Sequence, residues 1–304
     1  MELSIVITTR NRKDDLIRCV RSVDNADLRE VSWELIIIDD ASSDGSEVLE
    51  IGDLGVSSGK IVHNMSQQMM VKSRNIGVKN STGKYVLFID DDNIVDEKMI
   101  DILVDFAEKN NEYGIVGPSM YYLNTRKKYL DFQKINLFTG KTSGIIDKTE
   151  RKICDSDGIP NAFLIKREVF DAGGLFDEKL IQTFTEPDFA FSARKCGYKC
   201  GIVKKAKIYH DVSANDGLKA RALGGQYTQK AYCLMRNRTV IISRYGSILQ
   251  KSMYLIFFSW FWPLAYSILM LREKRFDLIK LYWKGFFDGL VYFFIGKLRN
   301  SIFN

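Results

Sequence analysis

The chain has 304 residues, of which 46% are apolar and 27% charged, enough apolar material for a substantial core, and intrinsic disorder is excluded. Its net charge of +6 gathers at one end: residues 244–304 hold nine Lys or Arg against three acidic residues, and the remainder is balanced. That tail also holds three of the four tryptophans, and because its aromatics sit within apolar runs the pattern points to a membrane surface and away from nucleic acid.

The opening MELSIVITTR lacks a basic stretch before its short apolar run, so no secretory signal is expected and the chain is expected to start in the cytoplasm. Leu3 to Thr8 is β-branched and continuously apolar, the pattern of a strand buried on both faces of a sheet. Lys13 to Val23 follows with Leu16, Cys19, Val20 and Val23 at helical spacing. Glu34 to Ile38 and Lys84 to Ile89 are further strands, leading into Asp39-Asp40 and Asp90-Asp91-Asp92, and Lys60 to His63 ends another. Asp96 to Lys109 is expected to be a helix. Ile165 to Ala172 is expected to be a short helix closed by Gly173-Gly174, and Pro187 places Glu186 at or beside the cap of a helix running to about Lys195 and closed by Gly197. Strands alternating with helices imply a doubly wound α/β sheet.

In such sheets ligands bind at the carboxyl ends of the strands. Three polar clusters fall there: Thr8-Thr9-Arg10-Asn11, Asp39-Asp40 and Asp90-Asp91-Asp92. Adjacent carboxylates repel unless a cation or a hydroxyl network neutralises them, and hard divalent cations favour such oxygens. The plainer alternative is that the three aspartates cap the helix that follows. Backbone N–H groups at a helix start keep a carboxylate ionised, so Glu186 is either a proton acceptor or a simple cap. His210, ending Ala206 to His210, is either a metal or phosphate ligand or a structural group; His63 has no evident partner and is read as structural. No GxGxxG or GxxxxGK[ST] follows any of these strands, which argues against a dinucleotide fold or a P-loop. The five cysteines lack paired metal spacing and are read as reduced thiols.

From Ser4 to about Arg238 the chain resembles the family 2 glycosyltransferases of the GT-A fold, through SIVITTRNR, IIIDDASSDGS, SRNIGVKNSTGKYVLFIDDD, GGLFDE and TEPDFAFSARKCGY in this order. The resemblance implies a Rossmann-like doubly wound mixed sheet over residues 1–243, with a nucleotide-sugar-binding half (1–115) and an acceptor-binding half (116–243), followed by a membrane-associating helical tail (244–304). It implies that Thr8, Arg10, Asp39, Asp40 (favoured for reading the base) and Arg74 hold the nucleotide. It also implies that Asp90 and Asp91 contact the ribose or bridge through water, and that Asp92, with His210, binds Mn²⁺ or Mg²⁺. Glu186 matches the base that deprotonates the acceptor hydroxyl in an inverting transfer, with Asp188 as second choice. Processive members carry QxxRW, whereas Gln226-Tyr227-Thr228-Gln229-Lys230-Ala231 lacks Arg and Trp, so a single sugar transfer is expected. The rivals are a sugar nucleotidyltransferase, whose Gly-rich N-terminal loop is missing, and a non-catalytic nucleotide-sugar binder.

Met253 to Leu271 is an uncharged run just long enough to cross a bilayer at about 1.5 Å per residue. Basic residues flank it on both sides, so a single crossing leaves one basic cluster outside; helices lying in the cytoplasmic interface are preferred, the alternatives being a span or a helical pair packed on the catalytic domain or in a dimer. Gly285 to Gly296 is too short to cross. Attachment there suggests a lipid-linked glycan acceptor.

Overall fold

The structure, a computed structural model, describes residues 1–28, 31–211 and 228–300; Gln226, Tyr227 and the last four residues of the tail lie outside these. In chain order the elements are β1 (Leu3–Thr9), α1 (Lys13–Asp24), β2 (Trp33–Asp39), β3 (Gly59–His63), α2 (Met69–Lys79), β4 (Tyr85–Asp90), β5 (Asn93–Val95), α3 (Met99–Lys109), β6 (Tyr113–Tyr122), β7 (Lys128–Leu130), β8 (Phe132–Asn136), β9 (Lys141–Ile145), β10 (Ile153–Asp155), β11 (Ala162–Lys166), α4 (Arg167–Gly173), α5 (Thr185–Lys195) and β12 (Lys199–His210). Four α-helices complete the described chain, α6 (Gln229–Tyr245), α7 (Ile248–Met253), α8 (Phe261–Arg272) and α9 (Phe276–Ile295), with a π-helical turn, Tyr254–Phe258, between α7 and α8. The chain divides into two compact units, residues 1–134, 144–176 and 189–212 forming one and residues 135–143, 177–188 and 213–304 the other.

The first unit is built on a mixed sheet of order β10-β12-β6-β11-β4-β1-β2-β3. Strands β4, β1, β2 and β3 run parallel, while β11 is antiparallel to both β4 and β6. The apolar runs divide their side chains between the faces as a period of two requires. Leu3, Ile5, Ile7, Leu35, Ile37, Leu87 and Ile89 pack into one layer with α1 and α3. Val6, Ile36, Ile38, Val86 and Phe88 pack into the other with α2, α4 and the Phe163–Phe170–Phe176–Phe189 cluster. Register then aligns the strand ends, setting Thr8 beside Asp90, Thr9 beside Asp39, and Asp39 beside His63.

Two expected boundaries move. The helix expected from Asp96 begins at Met99, because Asn93–Val95 is drawn out as β5, pairing antiparallel with the end of β12 so that Asn93 faces His210. The three aspartates are therefore followed by a strand and do not cap that helix. The helix expected from Ile165 begins at Arg167, since Phe163, Leu164 and Ile165 lie in β11, buried between β4 and β6; a short unbroken apolar run suits either element and sheet pairing decides. Gly174 and Gly197 close α4 and α5 with φ of +79° and +91°. All five cysteines are free thiols.

In the second unit α6 and α9 lie side by side. A Cβ on Gly285 would meet the Tyr232 carbonyl oxygen at 2.2 Å, so only glycine permits this approach there; one turn on, a Cβ on Gly289 would meet Thr239 at 3.0 Å and push it back by a few tenths of an ångström. Tyr232 donates to Asp288 at 2.5 Å across the same seam, and Met235, Met270, Leu278, Tyr282 and Phe286 fill the core joining α6, α8 and α9. The second apolar run of the tail is thus half of a 20-residue helix. Gly285→Val should cost about 1–3 kcal/mol by overpacking, read as a lower thermal midpoint. Gly52→Ala, where an added Cβ meets nothing within 4 Å, should cost nothing measurable. A Gly285→Val midpoint equal to wild type would mean that the two helices are not in close contact.

Candidate active site

At the sheet's carboxyl edge the three aspartates divide their partners. Asp90 accepts from Arg74 Nη2 at 2.8 Å, and Arg74 is itself buried with its guanidinium 5.2 Å from the Phe163 ring. Asp91 is buried, accepting from Thr9 Oγ1 at 2.7 Å and from Arg12 Nη1 at 3.1 Å. Asp92 accepts from Arg12 Nη1 at 2.8 Å and from Asn93 Nδ2 at 3.1 Å, and its Oδ1 lies 3.5 Å from His210 Nε2. Tyr129 shares a hydrogen bond of 2.9 Å with the other ring nitrogen of His210 and so fixes which face of the imidazole meets Asp92. Burial pushes the Asp91 carboxyl up to about 7, although Arg12 and Thr9 pull the other way. Burial also opposes ionisation of Asp92, but His210 and Arg12 outweigh it and bring that carboxyl down to about 2. The cluster thus holds one firmly ionised carboxylate beside one poised to accept a proton.

The second strand end is held differently. Asp39 accepts from the Ser42 amide at 3.1 Å and lies 3.0 Å from His63 Nδ1, giving that histidine a partner the sequence did not suggest. Asp40 accepts the amides of Gln68 at 2.6 Å and Met69 at 2.9 Å and the side chain of Asn64 at 3.0 Å, so its carboxylate caps α2. Arg10 donates to the Asp40 carbonyl at 2.7 Å. Thr9 belongs to the polar cluster expected at the first strand end, whereas Arg12 was not among the expected site residues; the second arginine of TTRNR, just before α1, was the available signal.

Among the described residues no group of three His, Cys, Asp or Glu could by itself enclose a metal. Asp92 and His210 nevertheless face each other at 3.5 Å, a spacing that suits two neighbouring ligands on one divalent ion with bonds of about 2.0–2.2 Å. Such ions commonly take one or two protein ligands and complete their shell with phosphate oxygens and water, so this donor set fits Mn²⁺ or Mg²⁺.

In the second unit Glu186 lies in the first turn of α5, where its carboxylate accepts from Thr185 Oγ1 at 2.9 Å. Asp188, one position beyond Pro187, is buried and fully engaged: Arg244 Nη1 donates to both its oxygens at 2.9 and 3.0 Å, and Tyr245 donates at 2.8 Å. Its lone pairs are committed to that ion pair; Glu186 is half-buried in the first turn, at the positive end of the helix.

Asp91 yields a pH prediction. Its folded value, about 7, lies above the ordinary 3.8, so between these limits the folded protein holds more protons than the unfolded one, and this group's contribution to stability falls as pH rises through that window. Asp91→Asn should flatten the slope of unfolding free energy against pH in urea melts across the same window. An unchanged slope would show that Asp91 ionises normally.

The model for the family described as Glycosyl transferase family 2 matches residues 4–174. Over 118 residues the chain is 33% identical to poly(ribitol-phosphate) beta-N-acetylglucosaminyltransferase TarP of Staphylococcus aureus (strain N315), covering 38% of this chain and 36% of that protein. The chain therefore spans about a third of that curated relative's length. Among solved structures, S. aureus TarS 1–349 in complex with UDP-GlcNAc superposes with a TM-score of 0.61 at 15% identity, covering 84% of this chain and 72% of that one. GalNAc-T7 with UDP, GalNAc and Mn²⁺ gives 0.62 at 20% identity, covering 83% and 53%. These two likenesses are of fold, and the family model covers more than half of the sequence: the chain has the GT-A fold and belongs to glycosyl transferase family 2.

Proposed function

We propose that the protein transfers one sugar, with inversion, from a nucleotide-diphospho-sugar to a hydroxyl of a glycan acceptor carried on a lipid at the cytoplasmic face of a membrane. The observation carrying this reading is the aspartate cluster, held with Thr9, Arg12, Arg74 and His210 at the carboxyl edge of a family 2 sheet. Thr8, Arg10, Asp39 and Arg74 hold the nucleotide, Asp40 acts beside them by fixing the start of α2, and Asp90 and Asp91 serve the ribose side. Asp92 and His210 would hold Mn²⁺ or Mg²⁺, which supplies charge neutralisation for the departing diphosphate. Glu186 takes the acceptor's hydroxyl proton as that oxygen bonds to the anomeric carbon and the bond to the diphosphate breaks on the opposite side. Asp188 anchors the helix start through Arg244. UDP-sugars are the first donors to test, since TarS was solved with UDP-GlcNAc.

Membrane attachment rests on the tail. Residues Ile248–Arg272 are long and apolar enough to cross a bilayer, and only 28% of their most apolar stretch is buried. Ile256, Phe257, Trp260, Leu264, Ile268 and Leu271 recur at helical spacing and are between 47% and 64% exposed. The opposite face of α8 buries Pro263, Ser267 and Met270, and α9 is tied along α6 through its glycines, so the apolar stripe belongs to a folded unit. With Lys251, Arg272, Lys274 and Lys284 around it, the stripe suits an anionic bilayer surface better than a span.

Purified protein with Mn²⁺, a panel of UDP-, GDP- and dTDP-sugars and a membrane lipid extract should release a nucleoside diphosphate. Asp92→Ala and Glu186→Gln should each lower kcat by about 100-fold or more. Full activity in Glu186→Gln would remove that residue as the base. Separately, the protein should sediment with vesicles containing phosphatidylglycerol and lose that binding, with turnover of a soluble acceptor retained, when Trp260 and Ile268 are both changed to Glu. Sedimentation unaltered by the double change would reject the stripe as the membrane contact.

A further inference from the structure

The segment carrying Glu186 is strained. Ile181, Thr183 and Phe184 adopt φ of 67°, 55° and 60°, a region that side chains avoid and that β-branched Ile and Thr avoid most. Such a backbone persists only where its surroundings hold it. Its carbonyls are gripped by two adjacent, fully buried residues of α6. Asn237 Nδ2 donates to the oxygens of Leu180 at 2.9 Å, Gln182 at 2.6 Å and Thr183 at 2.9 Å. Arg236 Nη2 donates to those of Lys179 at 2.8 Å and Leu180 at 3.0 Å. Arg236 Nε donates to Asn237 Oδ1 at 2.9 Å, which fixes the amide with its NH₂ toward the loop. Two turns along the same helix, Arg244 closes both ends of the segment, binding Asp177 at 2.6 Å and Asp188 at 2.9 and 3.0 Å.

We infer that Arg236, Asn237 and Arg244 are positioning residues: α6 clamps residues 177–188 in a strained conformation that aims Glu186, and acts on transfer only through that carboxylate. This rests on the reading of Glu186 as the base. A clamp that served stability alone would have no reason to bend three non-glycine residues directly ahead of the helix start, since an unstrained loop could cap it equally well.

The test is a double-mutant cycle in the full chain, with the donor that turns over in the panel above. Displacing a catalytic group by about 1 Å can cost about 100-fold in rate, so Asn237→Ala should lower kcat by about tenfold or more while the donor KM changes by less than about twofold. In the Glu186→Gln background the same change should cost less than about twofold, because the group it positions is already gone. Arg244→Lys, which keeps the charge but loses the fork that spans both Asp188 oxygens, should behave likewise and decides the matter if Asn237→Ala fails to fold. Equal losses with and without Glu186, or parallel loss of donor affinity, would overturn the inference and leave the clamp a purely structural device. Full activity of Glu186→Gln itself would instead overturn the underlying reading.

Discussion

Like-charge repulsion at the end of β4 is the constraint around which the first unit is organised. Asp90, Asp91 and Asp92 follow one another directly, and neighbouring carboxylates in a partly buried site cannot all stay ionised without nearby positive charge. Two arginines supply it, Arg74 from α2 and Arg12 from the turn before α1, and His210 at the end of β12 sets a ring nitrogen 3.5 Å from Asp92. Each arrives because a register places it. β1 lies between β2 and β4, which brings TTRNR against the aspartates, and β5 pairs with β12, which sets His210 opposite Asn93. The outcome is graded, with Asp92 low, Asp91 high, and one arginine bridging them.

The second unit meets a different demand, that of holding a backbone where it would not rest by itself. Helix α6 carries buried Arg236 and Asn237, groups whose burial is costly unless their donors are paired, and the loop of residues 177–188 offers the carbonyls that pair them. Strain in the loop and burial of polar groups on the helix thus offset one another. The helix is held in turn by α9, which approaches within the reach of a missing Cβ at Gly285 and Gly289, and α8 completes that core with one face while leaving the other bare. The exposed apolar stripe of α8 and the contacts that hold the loop therefore share one scaffold: what anchors α8 and α9 also fixes α6.

Much of this could be read in the linear pattern. Unbroken β-branched runs mark strands buried on both faces, and the polar residues at their ends mark the edge where the aspartate cluster gathers, as a period of two and the burial of parallel sheets lead one to expect. Gly197 closes α5 after Lys195 as expected, because glycine acts locally through its freedom at positive φ, whereas the helix begins at Thr185, two residues ahead of Pro187, so that Glu186 lies inside its first turn. The apolar tail and its basic flanks are likewise a matter of composition.

Pairing at a distance was not legible. That Phe163-Leu164-Ile165 is a strand, that Asn93 opens β5, that Asp40 caps α2 and that His63 faces Asp39 each depends on a partner tens of residues away, which local periodicity does not encode. The same holds for Asp188, whose ion pair is with Arg244, 56 residues on. Residue type and local spacing set which chemistry the chain carries and where its strands end; the long-range hydrogen bonds and ion pairs assign each group its task, because a carboxylate's role depends on which donors have already claimed its oxygens.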